Sequence, residues 1–184
     1  MKNIFKTHFK EFSQLAKKNT KYTNQRKPII SRTDSDFHDT NWDSGKIYIF
    51  LDIDGVLNTS DQWKRMYQLD KKCVSRFTEY AKALQGAVRI ILTSSWKNGF
   101  DPTGKHTPQI QALIDSLASH GIRIVGKTLN REDGDRAQEI NDFIVAHKLE
   151  KARCIVVDDD PDIFHATLLK NCETVWTDAR TGFM

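Results

Sequence analysis

Apolar residues along this chain fall into two patterns. Short continuous runs occur at Ile47 to Leu51, Ala87 to Leu92, Ile122 to Val125, Cys154 to Val157 and Thr174 to Trp176. Runs of this length, rich in β-branched residues, read as strands buried on both faces, as in a parallel sheet. Between them, apolar positions recur at helical spacing. Cys73, Val74, Phe77, Tyr80, Ala81 and Leu84 form one such face, with Asp70 as the expected N-cap and Gly86 as the stop. Ile110, Leu113, Ile114 and Leu117 form a second, closed by Gly121. Ala137, Ile140, Ile144, Val145 and Leu149 form a third, opened by Arg136, and Ile163, Leu168 and Leu169 predict a short fourth helix. Strands alternating with helices argue for an α/β domain with a parallel sheet covered on both sides.

Ahead of the first strand the pattern changes. Ile4, Phe5, Phe9, Phe12, Leu15 and Ala16 fit one helical face over residues 3–18. Residues 19–45 are polar and turn-rich, with Pro28 and a Ser31 to Asp39 cluster, and read as a linker. The expected organisation is therefore an N-terminal extension over residues 1–45 and a folded domain over 46–184, with no internal repeat.

Composition bounds the class. At 184 residues, 39% hydrophobic and 28% charged, the chain suits one good core. No apolar run approaches the roughly 20 residues that span a bilayer, so no membrane partner is expected. Met1 to Lys6 lacks the apolar centre of a secretory leader. Cys73, Cys154 and Cys172 are odd in number, with no Cys-x-x-Cys, and read as reduced fillers in a cytoplasmic protein without a zinc site. Charge is uneven. Residues 1–33 hold nine Lys or Arg and one acid, a net +8, so within a total of +4 the remainder carries −4. Such an arm fits a polyanion such as nucleic acid, and its interleaved phenylalanines equally suit docking onto the domain.

The candidate chemistry sits where strands end. In open α/β sheets, ligands bind beyond the carboxyl ends of the strands. Here the first strand ends in Asp52-Ile53-Asp54-Gly55, the second in Thr93-Ser94-Ser95 and the fourth in Asp158-Asp159-Asp160. In a strand, residues two apart face the same way, so Asp52 and Asp54 can share one site. Paired carboxylates there attract a hard cation such as Mg²⁺. A carboxylate to attack phosphorus, a second to move a proton, a hydroxyl and a cation to hold oxygens together suit phosphoryl transfer. Asp160 or a neighbour is also expected to cap the following helix. Trp96 and Trp176 read as packing residues rather than substrate platforms.

Asp52-Ile53-Asp54-Gly55-Val56, Thr93-Ser94, Arg136 and Asp158-Asp159 resemble, in order, the four motifs of the haloacid dehalogenase (HAD) superfamily. Asp-Gly-Val-Leu-Asn, Thr-Ser-Ser-Trp-Lys, Glu139-Ile140 after Arg136, the Asp triplet and Thr177-Asp178 ahead of Gly182-Phe183 resemble the HAD domains of Swiss Army Knife RNA-repair proteins. The resemblance implies a three-layer, Rossmann-like α/β fold with a mainly parallel sheet, joined here to the helical extension. It implies a phosphatase with Asp52 as nucleophile, forming an aspartyl-phosphate, and Asp54 as general acid and then base. Mg²⁺ would lie between the Asp52 carboxylate, the Asp54 carbonyl and Asp158 or Asp159. Ser94, favoured by its spacing to Trp96, or Thr93 would hold the phosphoryl group. Arg136 would stabilise its charge, with Lys127 and Lys97 as alternatives. An aspartate at position 54 favours phosphate chemistry over dehalogenation.

Access follows from the gaps between motifs. Residues 59–69 leave room for a small flap, and 97–107 and 126–135 read as loops, so the site is expected to be essentially capless. An open site fits a bulky phosphomonoester, such as a nucleic-acid end. A nucleotide or sugar phosphatase, or a silent HAD-fold binding module, are the alternatives.

Overall fold

The computed structural model describes residues 42–63 and 68–184, so the expected helix over 3–18 and its linker lie outside the described residues. The five runs read as strands all form strands: β1 (Ile47–Leu51), β2 (Val88–Leu92), β3 (Arg123–Lys127), β4 (Arg153–Asp158) and β5 (Glu173–Trp176). They build one five-stranded sheet in the order β3-β2-β1-β4-β5, with every pairing parallel. This is an α/β, Rossmann-like arrangement. The strand order reverses beside β1, between β2 and β4, and that is where such sheets open a crevice.

Helices cover both faces: α1 (Lys71–Ala83), α2 (Pro108–Ala118), α3 (Arg136–Ala146) and the one-turn α4 (Pro161–Phe164). Asp70 caps α1 as expected, accepting from the Lys72 and Cys73 amides at 2.7 and 3.3 Å. Alternate residues of β1 feed two cores. Ile47, Ile49 and Leu51 pack with Phe77 of α1 and Leu113 of α2. Tyr48 and Phe50 pack with Ile140 and Phe143 of α3. Trp42, ahead of β1, extends the second core against Tyr48, Phe143 and His147.

Some element details differ from the sequence pattern. The third helix stops at Ala146, because Lys148 takes a positive φ of 56° and turns the chain. Leu149 is still buried, held by its amide bond to the Ile144 carbonyl, whereas Val145 faces outward. The fourth helix divides into α4 and a separate 3-10 turn over Thr167–Leu169. Trp176, expected to pack, is 59% exposed. Among the described residues no module is inserted between the motifs, and a 3-10 turn, Ser60–Gln62, occupies the flap region.

Candidate active site

The sheet register aligns the strand ends. Leu51 pairs with Leu92 and with Val157, so the next positions, Asp52, Thr93 and Asp158, stand side by side across three strands. Side chains at one register level of a parallel sheet share a face. That face is the one covered by α3, since Phe50, Ile91 and Val156 beneath them belong to the α3 core. Asp158 in turn pairs with Trp176, which extends the row to β5.

The first turn of α3 brings in the cation. Asp135 caps this helix through the Gln138 amide, and Arg136 follows at its first position. Arg136 Nη1 donates to Asp158 Oδ2 at 2.7 Å and to Asp52 Oδ1 at 3.2 Å. Lys97 and Lys127 are engaged elsewhere. Buried Lys97 forms an ion pair with Glu139 and donates to Thr128 Oγ1 at 3.0 Å. Lys127 donates to the carbonyls of Lys97 and Phe100 at 3.0 and 2.7 Å.

Asp52, Asp158 and Asp159 each offer a carboxylate oxygen within 4.8 Å of the others. Asp52 and Asp158 are buried, and one guanidinium cannot offset three carboxylates. Burial first, and then the charge of Asp158, hold Asp52 well above the ordinary carboxylate range. Burial likewise raises Asp158, against the opposing pull of Arg136, and burial plus Asp158 raise Asp159 to about 6. An oxygen-only donor set with excess negative charge fits a hard divalent cation such as Mg²⁺. Asp160 stands apart: it caps α4 through the Asp162 amide at 3.0 Å.

Asp54 leaves the strand. The chain turns after Ile53, whose carbonyl accepts from the Val56 and Leu57 amides. Asp54 Oδ1 accepts from Asn58 Nδ2 at 2.8 Å, and Trp96 Nε1 reaches both carboxylate oxygens at 3.3 and 3.2 Å. Its carboxylate therefore stands outside the Asp52–Asp158–Asp159 group. Gly55 is required at this turn: its φ is +85°, and a Cβ there would lie 2.3 Å from Asp159 Oδ2.

The two candidate hydroxyls differ. Ser94 caps the 3-10 turn Ser95–Gly99, its Oγ accepting from the Trp96 amide at 3.4 Å. Thr93 lies on the row, and its buried hydroxyl has no hydrogen-bond partner among the described residues. A buried polar atom left unpaired is costly, and ligand sites are where such atoms persist.

Some site residues carried no role in the sequence reading. Asn58 holds Asp54 with its amide and accepts from Gly55 N at 3.0 Å and from Trp63 Nε1 at 3.1 Å. Its position four after Asp54, within reach across one turn, was the available signal. Thr177 Oγ1 ties the β5 end to the Gly55 carbonyl at 2.9 Å, a long-range contact no local pattern reveals.

A parallel sheet with an acid cluster at its switch point, an arginine across it and an unpaired hydroxyl beside it defines a phosphotransfer-type α/β protein. The chain belongs to the HAD superfamily: the family model for the HAD domain in Swiss Army Knife RNA repair proteins matches residues 48–184. That membership supports a phosphatase-type hydrolase in general. No curated protein and no solved structure matches the chain.

Proposed function

We propose that this chain is a cytoplasmic, Mg²⁺-dependent phosphohydrolase acting through an aspartyl-phosphate on an exposed phosphomonoester, with a nucleic-acid end as the favoured substrate. Its catalytic domain would run from about residue 46, behind the basic segment 1–45. The observation carrying this reading is the row of Asp52, Thr93 and Asp158 crossed by Arg136, with Asp159 completing an oxygen-only cluster.

The chemistry divides between the two aspartates of the first loop. An Asp52 carboxylate oxygen attacks phosphorus, and the bond from phosphorus to the leaving oxygen breaks. Asp54 gives that oxygen its proton. Asp54 then takes a proton from water as the water oxygen attacks the same phosphorus, which breaks the bond to Asp52 and releases phosphate. Asn58 and Trp96 fix the Asp54 carboxylate for both transfers. Arg136 shares the phosphoryl charge, and the unpaired Thr93 hydroxyl is better placed than Ser94 to donate to a phosphoryl oxygen. Mg²⁺, held by Asp52, Asp158, Asp159 and the Asp54 carbonyl, would offset phosphoryl charge as a Lewis acid.

The substrate class follows from access. Among the described residues nothing folded roofs the site, which suits a phosphate on a large molecule. The +8 segment ahead of the domain and the RNA-repair description of the family favour a nucleic acid. The test is hydrolysis of an aryl phosphate, a phosphorylated metabolite panel and 3′- and 5′-phosphorylated oligonucleotides, each with Mg²⁺ and with chelator. Turnover with Mg²⁺ that is lost in Asp52→Asn, and is highest on an oligonucleotide end, is expected. Full activity in Asp52→Asn would overturn the nucleophile. Preference for a metabolite would overturn the substrate class, and absence of any turnover would leave a binding module.

A further inference from the structure

Exposed tryptophan is expensive: a large ring left in water forgoes the burial that normally fixes it. Among the described residues two tryptophans are substantially exposed, Trp63 at 45% and Trp176 at 59%. Both anchor their indole N–H on the acid-bearing loops. Trp63 Nε1 donates to Asn58 Oδ1 at 3.1 Å, and Asn58 holds Asp54. Trp176 Nε1 donates to the Asp159 carbonyl at 3.3 Å, and Trp176 is the register partner of Asp158. Trp63 is thus tied through Asn58 to the Asp54 carboxylate, and Trp176 to the backbone of Asp159.

The segments that carry the two rings are also joined. The Ser60 amide donates to the Ala179 carbonyl at 2.7 Å, which fastens the flap carrying Trp63 to the segment that follows Trp176. With their only polar atoms engaged, what these side chains offer is ring surface. No described aromatic residue stacks on either. Fixed aromatic faces beside a backbone-binding site are how proteins hold single-stranded nucleic acid, because every base has a π-face.

We propose that Trp63 and Trp176 are stacking platforms for unpaired bases next to the phosphate at a nucleic-acid end, a proposal that rests on the phosphatase reading above. The rings select for a base beside the phosphate, while the acids and Arg136 act on the phosphate itself. A sugar phosphate or a phosphorylated serine presents no such ring, so the platforms discriminate against both.

The experiment compares kcat/KM on two phosphorylated oligonucleotides, one intact and one abasic at its phosphate-bearing and adjoining nucleotides. Glycerol phosphate serves as a baseless control. The wild-type protein is expected to favour the intact end by about tenfold, the scale of a single base–aromatic stack. The Trp63→Ala/Trp176→Ala double variant should bring that ratio close to one. The Trp63→Phe/Trp176→Phe variant should keep most of it, because a phenyl ring still stacks. In Asp52→Asn, the intact oligonucleotide should quench tryptophan fluorescence more than the abasic one, and adding the two alanine substitutions should remove the difference. Equal wild-type rates on the two ends would overturn the platforms. So would an intact-to-abasic ratio that survives the alanines, or phenylalanines that fail as completely as alanines. Hydrolysis of none of the three substrates, with the base-dependent quench intact, would instead fault the phosphatase reading and leave the platforms standing.

Discussion

Asp52 carries two opposed demands. As the proposed nucleophile it needs its charge, yet it sits buried within reach of Asp158 and Asp159, with Arg136 as the neighbouring cation. Replacing it with asparagine removes the attacking oxygen and one of three crowded negative charges. Asp52→Asn should therefore abolish phosphatase activity and, in chelator, melt at or above the wild-type temperature. A lower melting point would mean that the cluster is not repulsive without metal. Gly55 makes the converse case. Its positive φ and the 2.3 Å approach of Asp159 Oδ2 leave no room for a methyl group. Gly55→Ala should cost about 1–3 kcal/mol in urea unfolding and displace Asp159, lowering affinity for Mg²⁺. The acids were legible because two carboxylates one residue apart at the end of a buried apolar strand have few structural reasons to be there, and Gly55 because Asp-Gly is a turn signal. Trp63 was not: it follows no apolar period, and only the folded flap aims its indole at Asn58.

At the scale of elements, α1 and α3 rest on different devices. The α1 cap, Asp70, is partly buried. Burial works to raise its pKa, but the Gln62 side chain and the Lys72 and Cys73 amides outweigh it and lower the pKa from 3.8. A carboxylate with a depressed folded pKa contributes its stability above the unfolded value and loses it as pH falls through the folded one. Asp70→Ala should thus cost about 1 kcal/mol at neutral pH, with the difference shrinking in acid, as pH-dependent denaturant unfolding would report. The α3 device is buried. Glu139, one turn past Arg136, pairs with Lys97 and accepts from the Arg131 amide at 2.9 Å, bracing the Thr93–Ser94 loop against the helix that carries the cation. Glu139→Ala strands a buried ammonium and should cost about 3–5 kcal/mol, measured by the same unfolding. Among the described residues, the existence of every strand and α-helix was readable from period and run length. The split of the last helix was not, because Asp160-Pro161 and the 3-10 turn at Thr167 are local cap chemistry laid over one weak apolar pattern. The role of Lys97 was hidden for another reason: its partner lies 42 residues away.

For the molecule as a whole, charge is divided along the chain. Residues 1–33 carry a net +8, and everything after them carries −4, including the acid cluster that would meet a phosphate under the proposed function. If the substrate is the nucleic-acid end proposed above, its approach to that cluster would be opposed until metal is bound and until its other phosphates find cations. Within the described domain many cations are already engaged: Arg131 by Asp133 and Asp142, Arg153 by Glu173, Arg180 by Asp178, and Lys97 by Glu139. Under that proposal the basic segment would supply the counterpart for the strand's remaining phosphates. Each phosphate neutralised on a single strand steepens the fall of log K with log salt by about 0.7. If half of the nine Lys and Arg of residues 1–33 engage phosphates, the salt slope should lose about 3 when the segment is removed. Fluorescence anisotropy of a 5′-phosphorylated oligonucleotide with the full chain and with residues 34–184, over a range of salt in Mg²⁺, measures that slope. Hydrolysis of glycerol phosphate, which carries no further phosphates, should survive the same deletion. An unchanged slope would move the affinity for nucleic acid into the domain itself, onto the joined segments that carry Trp63 and Trp176.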